Sequence, residues 1–290
     1  MGVIFLYPDY PFSSHFAKID GHRLHYLDEG SGPVIVMVHG NPTWSYYYRH
    51  LVSLLAPHFR VIVPDHIGCG LSDKPQEYPY RLADHIRNLQ GLLTHLKVTT
   101  FSLIVHDWGG AIGMGVAGVS PEAVERIVVL NTGAFRSQRI PFRIRICRWP
   151  VVGALIVRGL NGFAWPASFM AVTRRLAKNV AAAYLAPYDS WAHRVAVHGF
   201  VRDIPLDASH PSYQTLTAVE AGLEDLARRK IPMLICWGGK DFCFNDHFYG
   251  EWCSRFPEAD TLYLPEAGHY VLEDGLEQIR PRLKHFFGLS

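Results

Sequence analysis

Short runs of β-branched and other apolar residues recur along the first half of the chain, each closed by Gly, Pro, Asp or Asn: PVIVMVHG (33–40), RVIVPD (60–65), SLIVHD (102–107) and RIVVLN (126–131). Continuous apolar strands of this kind are buried on both faces, as in a parallel sheet. HRLHYLDEG (22–30) alternates instead and ends in glycine, the pattern of an edge hairpin. Between the runs lie segments of helical period at 44–56, 81–96 and 111–120. Alternating β and α predicts an α/β fold with a mostly parallel, doubly wound sheet.

The rhythm stops near Phe135. Residues 136–212 hold no clear buried strand, only Arg-, Ala- and Trp-bearing helical patterns broken by Pro141, Pro150, Pro166, Pro187 and Pro205. PMLICWGG (232–239) and TLYLPEAGH (261–269) then restore the βα pattern, with a closing helix around 271–287. The expected organisation is a core of residues 1–135 and 213–290. Residues 136–212 are read as an inserted helical cap over the carboxyl edge of the sheet, where such folds bind ligands.

Composition narrows the class. With 49% hydrophobic and 19% charged residues the chain is an ordered globular protein, and a formal charge of +2 is too mild for a nucleic-acid partner. Five cysteines, an odd number without a CxxC pair, read as reduced small apolar residues. The amino-terminal MGVIFLYPDYPF lacks a basic region and contains two prolines, so it does not resemble a signal peptide. No apolar run is long enough to span a bilayer. The expectation is a cytoplasmic protein with no integral membrane segment. Six arginines and no acid between Arg136 and Arg158 are read first as a solvated cap face. The other readings are a peripheral membrane or oligomer contact. No phosphate-loop or metal-ligand spacing occurs, so no cofactor and no metal is implied.

Three residues carry the chemistry. Asp107, Asp241 (in WGGKDFCF) and His269 (in LPEAGHYVLED) each lie just past a predicted strand, in the order nucleophile, acid, histidine expected of an α/β-hydrolase triad. LIVHDWGGAIG (103–113) is a sharp strand-to-helix turn that usually raises a serine; here it raises a carboxylate. A serine that displaced a leaving group from saturated carbon would become an ether, which water and a histidine cannot cleave. A carboxylate becomes an ester, which they can. Asp107 therefore points to substitution at saturated or strained-ring carbon, not to esterase or peptidase chemistry. The backbone N–H groups of Asn41, after His39-Gly40, and of Trp108 fit an oxyanion hole. The Asn41 amide and the Trp108 indole add two donors for a departing anion.

HGNPTW, PDHIGCGLSDKP (64–75), HDWGG, WGGKD and AGHYVLED resemble the haloalkane dehalogenase branch of the α/β-hydrolase superfamily, over nearly the whole chain. The resemblance implies that Asn41 and Trp108 bind halide. It also implies a small hydrophobic substrate. One subfamily of that branch places its acid after the sixth strand, where this chain has Asn131; here the acid is Asp241, after the seventh. APYDSW (186–191), RDIPL (202–206) and FNDHF (244–248) resemble the third dehalogenase subfamily, whose members tend to form homo-oligomers. They equally resemble the β-lactone decarboxylases of bacterial olefin synthesis, which release CO2 and a long-chain alkene. The complete halide pair favours the dehalogenase, with the decarboxylase as the alternative. An epoxide hydrolase, with Tyr184 and Tyr188 as the epoxide-polarising pair, and a non-catalytic binder fit less well.

Overall fold

The computed structural model of the protein describes residues 7–289, so half of the amino-terminal stretch compared with a signal peptide lies outside the described residues. Eight strands form one sheet: β1 His15–Ile19, β2 His22–Glu29, β3 Val34–Val38, β4 Arg60–Pro64, β5 Phe101–Asp107, β6 Val124–Thr132, β7 Met233–Gly238 and β8 Asp260–Leu264. Their order is β1-β2-β4-β3-β5-β6-β7-β8. The β1–β2 hairpin and the β2–β4 pair are antiparallel, and every other pairing is parallel. The edge hairpin and the doubly wound sheet read from the sequence are both present.

Period-2 alternation explains why the strands are apolar throughout. Ile35 and Met37 face one side with Leu51, Leu55, Ile279 and Leu283, while Val36 and Val38 face the other with Leu89, Met114, Val219 and Leu223. The covering helices are α1 (Arg49–Leu55), α2 (Leu82–His95), α3 (Trp108–Val119) and, after the cap, α9 (Tyr213–Arg228), α10 (Asp246–Arg255), α11 (Val271–Asp274) and α12 (Leu276–Phe286). Each fully buried aliphatic side chain of these layers contributes about 1.5–3 kcal/mol.

Residues 136–212 contain no strand. Their helices are α4 (Phe142–Cys147), α5 (Pro150–Ala154), α6 (Ala164–Met170), α7 (Lys178–Leu185) and α8 (Val195–Arg202). Prolines expected to break helices here also start them: Pro141 precedes α4 and Pro150 opens α5, where the missing N–H costs nothing.

Two helices differ from the sequence reading. α3 begins at Trp108, three residues early, because the chain passes from strand to helix without a loop. α9 was not expected at all, although Leu216, Val219, Leu223 and Leu226 form its buried stripe. The order of β3, β4 and β5 fixes the site. β4 lies on one side of β3 and β5 on the other. The loops leaving β3 and β5 therefore part, and the crevice between them is where open α/β sheets bind ligands.

Candidate active site

Asp107 ends β5 with φ 52° and ψ −128°, a conformation that costs a non-glycine residue on the order of 1–3 kcal/mol. The surrounding glycines make the turn sterically possible. A Cβ on Gly109 would collide with the Val38 carbonyl, one on Gly110 with the Thr132 hydroxyl, and one on Gly40 with the Asp107 carboxylate itself. The HG and DWGG motifs are thus the space in which this carboxylate stands.

The structure brings the three strand-end residues together. His269 Nε2 lies 3.6 Å from Asp107 Oδ2, and His269 Nδ1 lies 2.7 Å from Asp241 Oδ2. The other Asp241 oxygen accepts the backbone N–H groups of Cys243 and Phe244 at 2.7 and 3.0 Å. Asn131, which occupies the alternative acid position and lies near the end of β6, donates to Asp241 Oδ2 at 3.1 Å and to the Gly238 carbonyl at 3.0 Å, while Gly238 N–H donates to its Oδ1. It anchors the acid to β7, a contact that its place after a buried strand did not reveal. His269 has two further neighbours, of which Phe244 had no role in the sequence reading. Phe244 stacks on its ring at 5.8 Å, and His106 Nε2 donates to its carbonyl at 2.8 Å.

Electrostatics set two different basicities. Burial pushes the Asp107 carboxyl above its usual range, against the pull of His269 and of the Asn41 and Trp108 N–H groups. For His269 burial disfavours the imidazolium, yet the charge and hydrogen bond of Asp241, with Asp107 beyond, outweigh it and raise the histidine. The site therefore favours a carboxylate that is more basic than usual beside an imidazolium that holds its proton more tightly.

Asn41 and Trp108 both border Asp107. Asn41 N–H donates to Asp107 Oδ1 at 2.6 Å, so the oxyanion-hole geometry is aimed at the carboxylate itself. The Asn41 side chain donates one of its two amide hydrogens to the Val197 carbonyl of α8 at 3.1 Å, which ties the loop after β3 to the cap. Trp108 packs on Phe200 of α8, ring centroids 5.4 Å apart. Above these groups lies a cavity of about 450 Å³. Asp107, His269, Asn41 and Trp108 line one part of it, apolar residues such as Phe135, Ile144, Phe163, Met170, Val201 and Leu216 line much of the rest, and Arg139 and Arg143 border its exposed cap side.

Other residues have structural partners. The Tyr184 hydroxyl donates to Glu273 and that of Tyr188 to the Thr43 carbonyl at 3.2 Å; neither lines the cavity, which leaves the epoxide-polarising role without geometry. Glu273 forms a bidentate pair at 2.6 and 3.0 Å with Arg49, itself only 2% exposed. Asn245 caps α10, and Asp246, the first residue of that helix, accepts from the Tyr263 hydroxyl at 2.8 Å. His66, like His106, donates to a backbone carbonyl, that of His39. Glu266 is an exposed partner of Lys240. The five cysteines are free.

Residues 33–276 match the alpha/beta hydrolase fold family. The chain is 46% identical over 283 residues to a protein of Shewanella oneidensis named cis-3-alkyl-4-alkyloxetan-2-one decarboxylase, covering 95% of this chain and 88% of that one. It is 31% identical to haloalkane dehalogenase 2 of Mycobacterium bovis, covering 96% of each. A crystal structure of a haloalkane dehalogenase from Bradyrhizobium elkani superposes with a TM-score of 0.85 at 28% identity, covering 96% of this chain and 98% of that one. These likenesses rank the two readings of the sequence in the opposite order to the preference for the dehalogenase. With the eight-stranded sheet, the crevice beside β3 and this extent of likeness, the chain belongs to the α/β-hydrolase fold family, on the branch shared by haloalkane dehalogenases and oxetan-2-one decarboxylases.

Proposed function

We propose that the protein is a β-lactone decarboxylase, converting cis-3,4-dialkyl oxetan-2-ones into cis-alkenes and CO2. The observation that carries this reading is the 46% identity to a relative named for that activity, sustained over 95% of the chain. The cavity agrees with it: about 450 Å³, largely apolar and with one carboxylate at the reacting end, it suits a small polar ring with alkyl arms.

Asp107 and His269 supply a balanced sequence. The Asp107 oxygen not held by the Asn41 N–H attacks C4 of the lactone from the face opposite the ring oxygen. The C4–O bond breaks, its electrons become the carboxylate on C3, and C4 is now esterified to Asp107. Inversion at C4 sets the new C–O bond anti to the C3 carboxylate. The C3–carboxylate bonding pair then forms the double bond, CO2 departs, and the Asp107 carboxylate leaves C4. Inversion followed by anti loss keeps the two alkyl groups on one side, so a cis-lactone gives a cis-alkene.

No water is consumed in this sequence. The N–H groups of Asn41 and Trp108 and the His269 imidazolium stabilise the charge that returns to Asp107 as it leaves. Asp241 keeps His269 charged and oriented without itself taking a proton.

The alternative, hydrolytic dehalogenation through the same ester, is favoured by one observation, the Asn41 and Trp108 pair beside Asp107. There, neutral His269 would activate water against the ester. Purified protein offered a cis-3,4-dialkyl oxetan-2-one and, separately, 1-iodobutane should release alkene and CO2 from the first at the higher rate. Halide and alcohol from the second with no alkene from the first would establish the dehalogenase instead.

A further inference from the structure

Residues 136–188 carry nine Lys and Arg and no Asp or Glu; the rest of the chain carries 19 and 26, a formal charge of −7 beneath a +9 segment. Within that segment Phe142, Trp149, Val151, Leu155, Trp165 and Phe169 are 47–74% exposed. Trp165 and Phe169 meet edge to face at 5.0 Å on α6, and the Arg143 side chain of α4 reaches Met170 at the end of α6 at 3.9 Å. Among the described residues Arg139, Arg143 and Arg145 form no ion pair with a carboxylate. Pro141 and Ile144 of the α4 region and Pro166 and Met170 of α6 line the cavity, while Phe142, Trp165 and Phe169 between them face outward. Exposed aromatic side chains, unpaired arginines and the cap side of the cavity therefore coincide.

From this we infer that the face formed by α4, α5 and α6 docks on the surface of an anionic lipid bilayer. Trp and Phe enter the headgroup boundary, the arginines meet lipid phosphates, and the cavity opens toward the acyl layer. A second copy of the chain is the poorer occupant. A twofold contact would set each arginine cluster against its twin with no acid to relieve the repulsion. Resting on the proposed reading, this orientation lets a two-armed lactone enter, and an alkene leave, without crossing water.

Flotation of the full-length protein with vesicles tests the docking without any turnover. Equimolar phosphatidylglycerol and phosphatidylcholine should retain the protein about ten- to a hundred-fold better than phosphatidylcholine alone, and sodium chloride at about 0.5 M should abolish the difference. The combined variant Trp149→Ser, Val151→Ser, Leu155→Ser should lose vesicle retention yet turn over a short-chain lactone at the parental rate, because none of these residues lines the cavity. Absence of retention on anionic vesicles, or unchanged retention by the variant, would overturn the inference. So would sedimentation showing that the parent is a dimer and the variant a monomer. If the protein proves to be a dehalogenase, flotation is unaffected, so the two proposals fail separately.

Discussion

The carboxyl edge of the sheet and the cap above it are built on opposite terms. At the sheet edge each polar group is fixed by several others. Asp241 receives four hydrogen bonds, Asp107 sits in a turn that three glycines make possible, and His269 is held between the two acids. The cap is short helices, exposed aromatics and unpaired arginines, joined to the edge at Asn41–Val197 and at Leu82–Asp203, where Leu82 N–H donates at 2.7 Å. On the proposed reading, the edge sets what bond can be broken, and the cap sets which molecule presents it. Two activities can share the first and differ in the second, so motifs at the edge cannot rank them.

Removing the carboxylate should cost the most. Asp107→Asn should keep the fold and eliminate turnover of lactone and haloalkane alike, read as product by gas chromatography; activity near the parental level would end the account of the edge.

Asp241→Asn comes next. His269 is raised above the usual histidine range by Asp241, so its charged form persists to higher pH. Decarboxylation uses that charge, and its rate should therefore fall as pH rises through the raised value. Hydrolysis of an alkyl ester uses neutral His269, and its rate should rise over the same window. In Asp241→Asn the inflection should move down. The same linkage makes this pair contribute stability that is complete below the ordinary histidine range and is lost as pH climbs through the folded value, checked by melting temperature against pH. An inflection unmoved by Asp241→Asn would show that another group titrates.

Asn41→Ala removes a side-chain donor and the tie to Val197 while keeping the backbone N–H on Asp107. Halide release from a haloalkane, in which that donor would hold the departing anion, should fall roughly ten- to a hundred-fold, about 1.5–3 kcal/mol, while lactone turnover, which uses the backbone N–H, should fall less, a split read from the two kcat values. Leu216→Trp in the cavity wall should be smallest in effect, leaving kcat for short-chain lactones nearly unchanged while raising KM for long-chain ones. A uniform loss across chain lengths would show that the wall does not select substrate.

Most of the edge was legible because its physics is local. Buried parallel strands are apolar on both faces, and a carboxylate between a strand and paired glycines has few structural uses. The cap was legible only as helical and cationic. Its fate depends on which faces of α4, α5 and α6 are covered, and sequence periodicity there is broken every few residues by proline. α9 went unread although its stripe of Leu216, Val219, Leu223 and Leu226 is regular, because the segment follows the proline-broken cap without a strand before it to mark a βα unit. Glu273 and Asn131 escaped for another reason: their partners, Arg49 and Asp241, are 224 and 110 residues away in the chain.

The fate of water at Asp107 separates decarboxylation from hydrolysis. The protein is cycled many times on a cis-3,4-dialkyl oxetan-2-one in water enriched in oxygen-18, then digested, and the peptide holding Asp107 is weighed. Decarboxylation by alternating displacement and anti loss leaves both Asp107 oxygens unlabelled while cis-alkene accumulates. Oxygen-18 in that peptide, with a β-hydroxy acid in place of alkene, would mean that water attacks the Asp107 ester and that the protein is a hydrolase of the lactone.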